Sequence, residues 1–458
     1  MFGTSGVRGP FGTDVTADLA LSIGRAVAID GAERIVLGRD PRTTGDLLAD
    51  AVAAGARECG ADVIDLGVAA TPTIARSVGW EDADAGVAVT ASHNPPEDNG
   101  LKLWEPSGQA FGEVHREQIA SIVRDDESSA ADWDAVGTRS DWADAEARHV
   151  AAIGDALEDE VETTTGSGLD DLQVVVDVGN GAGGITVRAL RELGCSVTAL
   201  NEGPDGHFPS RPSEPTEEHL AALCSVVAAT DADLGVAHDG DADRMMAVDE
   251  TGQFVGGDAL LAVFATDAVE AAADPGGTDD AAHRVAAPVN TSLAVDDALA
   301  AVGGELVRTR VGDVFVAERA SEPDVAFGGE PSGAWIWPGA TLAPDGPLAA
   351  CRLAAMVADR GPLSTMLDGI EQYPIRRDSR EVAEKTATME RIRAAAQREY
   401  ESVEALDGVR VTTDEGWFLV RASGTQPLIR VTAEARDAGR ADELLAAAHA
   451  LLEDAIAE

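Results

Sequence analysis

The chain has 458 residues, 45% hydrophobic and 25% charged, too long for one core and of a size for three or four domains. Its 82 Asp and Glu against 34 Lys and Arg give a net charge of -48, a field that repels nucleic-acid phosphates and anionic membranes. No apolar window is long enough to span a bilayer and the first residues, MFGTSGVRGPFG, lack the basic-then-apolar pattern of a leader, so a cytoplasmic protein is expected. Only Lys102 and Lys385 are lysines. An acid-rich, lysine-poor surface keeps a chain hydrated when salt screens its self-repulsion, which points to a salt-accumulating, halophilic source. The cysteines Cys59, Cys195, Cys224 and Cys351 form no paired motif and are expected to be reduced core residues.

In chain order, one grammar recurs: a β-branched run stops in Gly, Asp, Ser or Thr and a helix-like stretch follows. RIVLGRD (34–40) precedes a helical pattern over 45–59, and DVIDLGVAATPT (62–73) follows it. The apolar run 85–89 opens into TASHNPPEDNG (90–100), whose prolines and glycine exclude a helix and make a rigid turn. Ser92 thus stands at the carboxyl end of a strand, where open α/β sheets place chemistry. QVVVDVGNGAGG (173–184), DLGVAHDGDADR (233–244), RVAAPVNTS (284–292) and VAFGGEPSG (325–333) repeat the pattern, with a helix over 185–193. Alternating strands and helices predict βαβ units and parallel or mixed sheets. The acidic, small-residue stretches 124–134 and 271–283 read as loops or linkers, the first closing domain one. After Pro362 the composition changes, and VRVTTDEGWFLVRASGTQPLIRVTAEA (409–435) reads as antiparallel strands of a smaller α+β domain.

Four clusters carry chemistry. In DGDADR (239–244), Asp239, Asp241 and Asp243 alternate, so a tight loop can turn three hard carboxylates toward one Mg²⁺ or Ca²⁺ that offsets their repulsion. The spacing also imitates a calcium-binding EF-hand, but Arg244 stands where that loop needs glycine, and MMAV looks like a returning strand. VGNGAGG (178–184), with Glu202 downstream, fits a dinucleotide fingerprint and leaves an NAD-dependent oxidoreductase as a distant alternative; a close-packed strand-to-helix turn accounts for the same glycines. RASGTQPLIR (421–430) sets Arg421 and Arg430 around Ser423, Gly424 and Thr425, a phosphate-binding turn, and GGEPSG (328–333) offers Glu330 and Ser332 to sugar hydroxyls. Together they describe a phosphosugar as substrate. Lys102, one of two lysines, follows the serine loop in DNGLK, where an ammonium can shuttle a proton or bind phosphate.

Taken in order, GTSGVRG (3–9), TASHNPPEDNGLK (90–102), DGDADR (239–244), GEPSG (329–333) and RASGTQP (421–427) resemble the α-D-phosphohexomutase superfamily along essentially the whole chain. The resemblance implies an α/β fold of four domains around a central cleft, three of similar mixed-sheet topology plus a smaller C-terminal α+β domain. The boundaries expected here are 1–145, 146–250, 251–363 and 364–458. It further implies that Ser92 is a phosphoserine, that phospho-Ser92 with Asp239, Asp241 and Asp243 holds Mg²⁺, and that Arg8 and Arg244 face the transferring phosphate. Lys102 would assist proton transfer, Glu330 and Ser332 would bind sugar, and Arg421, Ser423, Gly424 and Thr425, with Arg430 beside them, would hold the distal phosphate. His93 is then a loop-shaping neighbour, since no Asp-His pair identifies a hydrolase triad. Many members have histidine after the SG of the sugar loop where this chain has Ala334. RVGDVFV (310–316) and the compact GEPSG loop resemble phosphoglucosamine mutases more than phosphomannomutase/phosphoglucomutase enzymes. A monomer or homodimer is expected.

Overall fold

The computed structural model describes residues 3, 6–125, 129–163, 169–272, 283–423 and 428–457. It divides into two compact units, Met1–Leu260 with Ser332–Leu367, and Leu261–Pro331 with Asp368–Glu458.

The first unit begins with β1 (Val7–Pro10), β2 (Arg34–Arg39), β3 (Asp62–Val68), β4 (Ala85–Val89), β5 (Asp98–Trp104) and β6 (Arg139–Asp141), in the order β1-β5-β4-β2-β3-β6. Parallel pairing holds along β4-β2-β3-β6, while β5 and β1 add antiparallel strands at one side. The parallel strands are apolar because helices cover them. Ile35, Leu37, Val63, Val87 and Val89 pack into one core with Ile23, Leu48 and Val52 of the helices Ala17–Ile29 and Gly45–Glu58. β6 lies beyond the acidic stretch 124–134, so the first sheet is completed after that stretch rather than before it.

A second sheet repeats the plan with β7 (Gln173–Asp177), β8 (Ser196–Leu200), β9 (Leu234–His238) and β10 (Met245–Val248), ordered β10-β9-β7-β8. β8, β7 and β9 are parallel, and β10 returns antiparallel to β9, so the aspartate segment 239–244 is the hairpin between them. In both sheets an antiparallel return strand lies directly after the polar loop. That return converts an open strand end into a closed loop held on both sides.

In the second unit β11 (Arg284–Pro288), β12 (Glu305–Thr309) and β13 (Val325–Glu330) form the parallel part of a third domain on the same plan, ordered β12-β11-β13. The chain then passes through β14 (Ala334–Ile336) and the helix Gly346–Arg360, which belong to the first unit. Last come β15 (Ile375–Glu381), β16 (Val403–Glu404), β17 (Val409–Thr413), β18 (Gly416–Ala422) and β19 (Leu428–Ala435), an antiparallel sheet ordered β15-β19-β18-β17-β16. Phe418, Val420, Ile429, Val431 and Ala433 alternate onto one face and form a core with Leu444, Leu451 and Leu452 of the helix Ala438–Ala457. Their intervening neighbours, Trp417, Leu419 and Arg421 on β18 and Arg430 on β19, take the other face.

Of the cysteines, Cys195 and Cys351 are buried, whereas Cys59 and Cys224 are only half-buried, which corrects the expectation that all four sit in cores. No helix among the described residues is long and apolar enough to cross a membrane.

Candidate active site

Ser92 follows β4 with a left-handed backbone, φ 50°. For a residue with a Cβ that conformation costs roughly 1–2 kcal/mol, so the surroundings must hold it. Its N–H donates to the Thr90 hydroxyl at 2.8 Å, and Thr90 in turn donates to Asp40 at 2.7 Å. Its carbonyl accepts from Arg42 Nη2 at 2.8 Å and from the Ser213 hydroxyl at 2.9 Å. Arg42, fully buried, also donates to the carbonyls of Asn94, Pro95 and Asp98 at 2.7, 2.5 and 2.9 Å and pairs with Asp40 at 3.0 Å. One guanidinium therefore fastens the whole serine turn. Burial pushes the Asp40 carboxyl up to about 6, against the pull of Arg42, and the negative charge of Asp241 adds to the rise.

The Ser92 side chain is 1% exposed, and its hydroxyl donates to Asp239 Oδ2 at 2.5 Å. Asp239, Asp241 and Asp243 are all buried, with one carboxylate oxygen from each within 4.8 Å of the others. Burial and then the charges of Asp241 and Asp243 raise Asp239 well above the ordinary carboxylate range. Thr71, at the start of the helix Thr71–Trp80, donates from its hydroxyl to Asp241 Oδ2 at 2.7 Å and from its amide to the Asp241 carbonyl at 2.9 Å. Asp241 Oδ1 is buried with no hydrogen-bond partner. A clustered, hard, all-oxygen donor set with an orphaned carboxylate oxygen fits a divalent cation of the Mg²⁺ type.

Positive charge surrounds the same point. Lys102, on β5 and 2% exposed, reaches Asp243 Oδ2 at 3.2 Å and lies over the Trp104 ring at 4.7 Å. Arg8 stands on β1 opposite Gly100 of β5, and Arg244 closes the aspartate hairpin, with its amide donating to Asp239 Oδ1 at 3.2 Å. His93 Nδ1 is 3.4 Å from the Ser92 hydroxyl. Burial, then Arg244, Arg8, Arg42 and Lys102, push this imidazole down to about 2, so it is neutral near pH 7. The structure thus brings Ser92, the three aspartates, Lys102, Arg8 and Arg244 together: a nucleophilic hydroxyl against a cation-binding acid cluster, ringed by donors suited to phosphate.

Within VGNGAGG close packing falls on Gly181 and Gly183, whereas a Cβ at Gly184 would meet nothing within 4 Å. A Cβ at Gly181 would lie 2.7 Å from the Gly240 carbonyl oxygen and 2.9 Å from that of Asp239, so the turn is pressed against the aspartate hairpin. Ala334, in place of the histidine many superfamily members carry after SG, opens β14, is buried and bridges to Arg244. Ser332 precedes Gly333, whose φ is 98° and whose carbonyl accepts from the Met245 amide at 2.9 Å.

In the second unit Glu330 ends β13, and its carboxylate accepts from the Gly312 amide at 2.7 Å. The adjacent amide, Val311, donates at 3.0 Å to Asp407, which accepts also from Arg421 Nη1 at 2.9 Å. Two consecutive amides of RVGDVFV therefore link Glu330 to Arg421 through Asp407. Arg421 and Arg430 face each other in register across β18 and β19. Like charges directly opposite are unfavourable, and the Asp407 carboxylate offsets the charge of Arg421. Ser423 is buried and its amide donates to the Leu428 carbonyl at 2.8 Å; Gly424 and Thr425 lie outside the described residues.

Sequence reasoning missed Arg42, Thr71, Ser213 and Asp407. Only the strand-end positions of Arg42 (in RDPR) and Thr71 (in ATPT) hinted at a role.

Comparison with known proteins agrees with this geometry. Four phosphoglucomutase/phosphomannomutase models match in order: alpha/beta/alpha domain I over residues 1–130, domain II over 148–252, domain III over 256–373 and the C-terminal domain over 379–450. A protein of Methanopyrus kandleri called "Probable phosphoglucosamine mutase" is 43% identical over 97% of this chain and 95% of its own length. One of the same description from Methanocella arvoryzae is 40% identical over 100% of this chain and 98% of its own. Among solved structures, a phosphoglucomutase/phosphomannomutase family protein of Burkholderia thailandensis superposes with TM-score 0.84 at 26% identity, over 99% of this chain and 98% of that one. On the residues of the site, the order of its domains and these full-length likenesses, the chain belongs to the phosphoglucomutase/phosphomannomutase family of phosphohexomutases.

Proposed function

We propose that this phosphohexomutase, an isomerase, interconverts 6-phospho- and 1-phosphoglucosamine through phospho-Ser92 and a bisphosphorylated sugar. The observation that carries the reading is the strained Ser92, with its hydroxyl 2.5 Å from Asp239 of the buried acid cluster. The archaeal relatives at about 40% identity over their full length support the hexosamine as substrate.

In the first transfer the phosphorus–Oγ bond of Ser92 breaks as a bond forms from phosphorus to the free hydroxyl of the sugar phosphate. The bisphosphate turns end for end, and the second phosphate passes back to Ser92 Oγ. Arg8 and Arg244 supply charge to the moving phosphoryl group, and Lys102, acting as the neutral amine, takes the proton of the attacking sugar hydroxyl, which passes on to the Ser92 Oγ that leaves and returns by the same route in the second transfer. Such transfers depend on positioning and charge neutralisation more than on covalent chemistry. Asp239, Asp241, Asp243 and a phosphate oxygen on Ser92 would hold Mg²⁺, which when bound neutralises charge on the phosphoryl oxygens. Glu330 and Ser332 contact the sugar. Arg421, Ser423, Gly424, Thr425 and Arg430 hold the phosphate that is not reacting, so remote binding energy orients the reacting end. The acid-rich surface suits a salt-rich cytoplasm.

Turnover of glucosamine, glucose and mannose phosphates at molar salt tests the substrate. Preference for glucosamine that shrinks in Glu330→Gln supports a carboxylate reading the amino group. Preference for mannose or glucose phosphate in the native enzyme assigns it to the other branch of the family.

A further inference from the structure

Lysine has almost vanished from this chain, and both residues that remain are bonded at loops of the proposed chemistry. Lys102 meets the aspartate cluster. Lys385, which opens the helix Lys385–Glu399, is half-buried, and its Nζ donates to the Ser423 carbonyl at 2.6 Å. Ser423 lies two residues after Arg421, and its own amide is tied to the Leu428 carbonyl. The ammonium is thus fixed at the base of the turn whose strands carry the cross-strand pair Arg421 and Arg430. Three cations gather at one end of one sheet in a chain of net charge -48.

Apart from eight histidines, arginine supplies every other basic side chain, so retention of lysine here calls for what guanidinium does poorly. An ammonium is a compact point charge with three tetrahedral donors, able to hold a carbonyl oxygen in one direction and a phosphate oxygen in another. We infer that Lys385 is a phosphate-binding residue of the substrate clamp, fixing the Ser423 carbonyl while adding a charge-assisted hydrogen bond to the phosphate that is not transferred. The inference rests on the reading of the Arg421–Ser423 segment as the phosphate site.

With two lysines the chemistry can be read site by site. The native enzyme is treated with limiting acetic anhydride alone, with saturating glucose 6-phosphate and with the same concentration of glucose, and acetylation of Lys385 is followed by peptide mass spectrometry. Glucose 6-phosphate, and not glucose, should slow labelling of Lys385 several-fold. In parallel, K385Q should raise KM about tenfold for glucosamine and glucose phosphates alike, with K385R recovering part of the loss. Equal labelling in all three samples overturns the assignment, and so does a native KM in a folded K385Q. An R421A control separates the two layers: a raised KM in R421A with Lys385 unprotected sinks the Lys385 role alone, while a native KM in both variants sinks the phosphate reading of the loop itself. The labelling needs no variant, so a poorly folding K385Q leaves the question decidable.

Discussion

Thr71 meets the aspartate hairpin from a helix 170 residues away in sequence, and its hydroxyl occupies one oxygen of Asp241 so that the other stays available. Outer partners of this kind orient ligating oxygens, and their removal commonly costs about 10–100-fold in metal affinity. Thr71→Val should therefore weaken Mg²⁺ binding by about tenfold or more in titration calorimetry, with Thr71→Ser close to native. Equal affinity in all three proteins would show that Thr71 only packs. Arg42 acts on the nucleophile in the same indirect way, through the carbonyls of Ser92, Asn94, Pro95 and Asp98. Arg42→Met removes those donors and leaves Asp40 buried without its partner, a change worth roughly 3–5 kcal/mol. A loss of that size in the free energy of unfolding from urea titration is expected, and an unshifted midpoint would mean that the turn holds itself.

At the scale of elements, the sites are strand ends closed by a returning strand, and this much was legible because it is local. The run 85–89 followed by ASHNPP, and LGVAH followed by DGDADR, state their own geometry within a dozen residues. The partners that fix those loops were not legible, since Arg42 lies 50 residues from Ser92 and Ser213 lies 121 away. The fourth domain was visible as alternating strands, but the pairing of Arg421 with Arg430 depends on register across a turn. Two further helices are joined by a titrating contact that periodicity does not show. His115, on the helix Glu113–Arg124, directs Nε2 to Asp30 at 2.6 Å, the C-terminal cap of the first helix, and Nδ1 to Glu105 at 2.9 Å. Two carboxylate acceptors call for both ring nitrogens protonated. Burial disfavours the imidazolium, but its hydrogen bonds to Glu105 and Asp30 outweigh that and raise its pKa above 6.5. A raised folded-state pKa gives stability that is full below 6.5 and lost as pH rises through the higher folded value. His115→Gln should accordingly lower Tm at pH 5.5 and leave it nearly unchanged at pH 9. The same loss at both values would mean that the ring acts only by stacking on Phe111.

Over the whole molecule, a net charge of -48 on 47.2 kDa sets self-repulsion against folding. The screening length falls from about 10 Å at 0.1 M salt to about 3 Å at 1 M, so repulsion between neighbouring surface acids is reduced across that range. Tm should rise steadily from 0.1 to 2 M KCl, and a flat or falling curve would detach the acid excess from salt. Charge also bears on the proposed chemistry: against so negative a field, six of the 34 Lys and Arg stand at the proposed phosphate contacts, Arg8, Lys102 and Arg244 in one unit and Lys385, Arg421 and Arg430 in the other. All of this depends on Ser92 as the phosphoryl carrier. Intact-mass analysis of the purified protein, paired with mutase turnover, tests that most directly. The native chain should carry one phosphate on Ser92, exchange it with substrate and turn over; Ser92→Ala should keep its fold, carry none, and lose several orders of magnitude in turnover. Near-native turnover in a cleanly purified Ser92→Ala protein would contradict the mechanism.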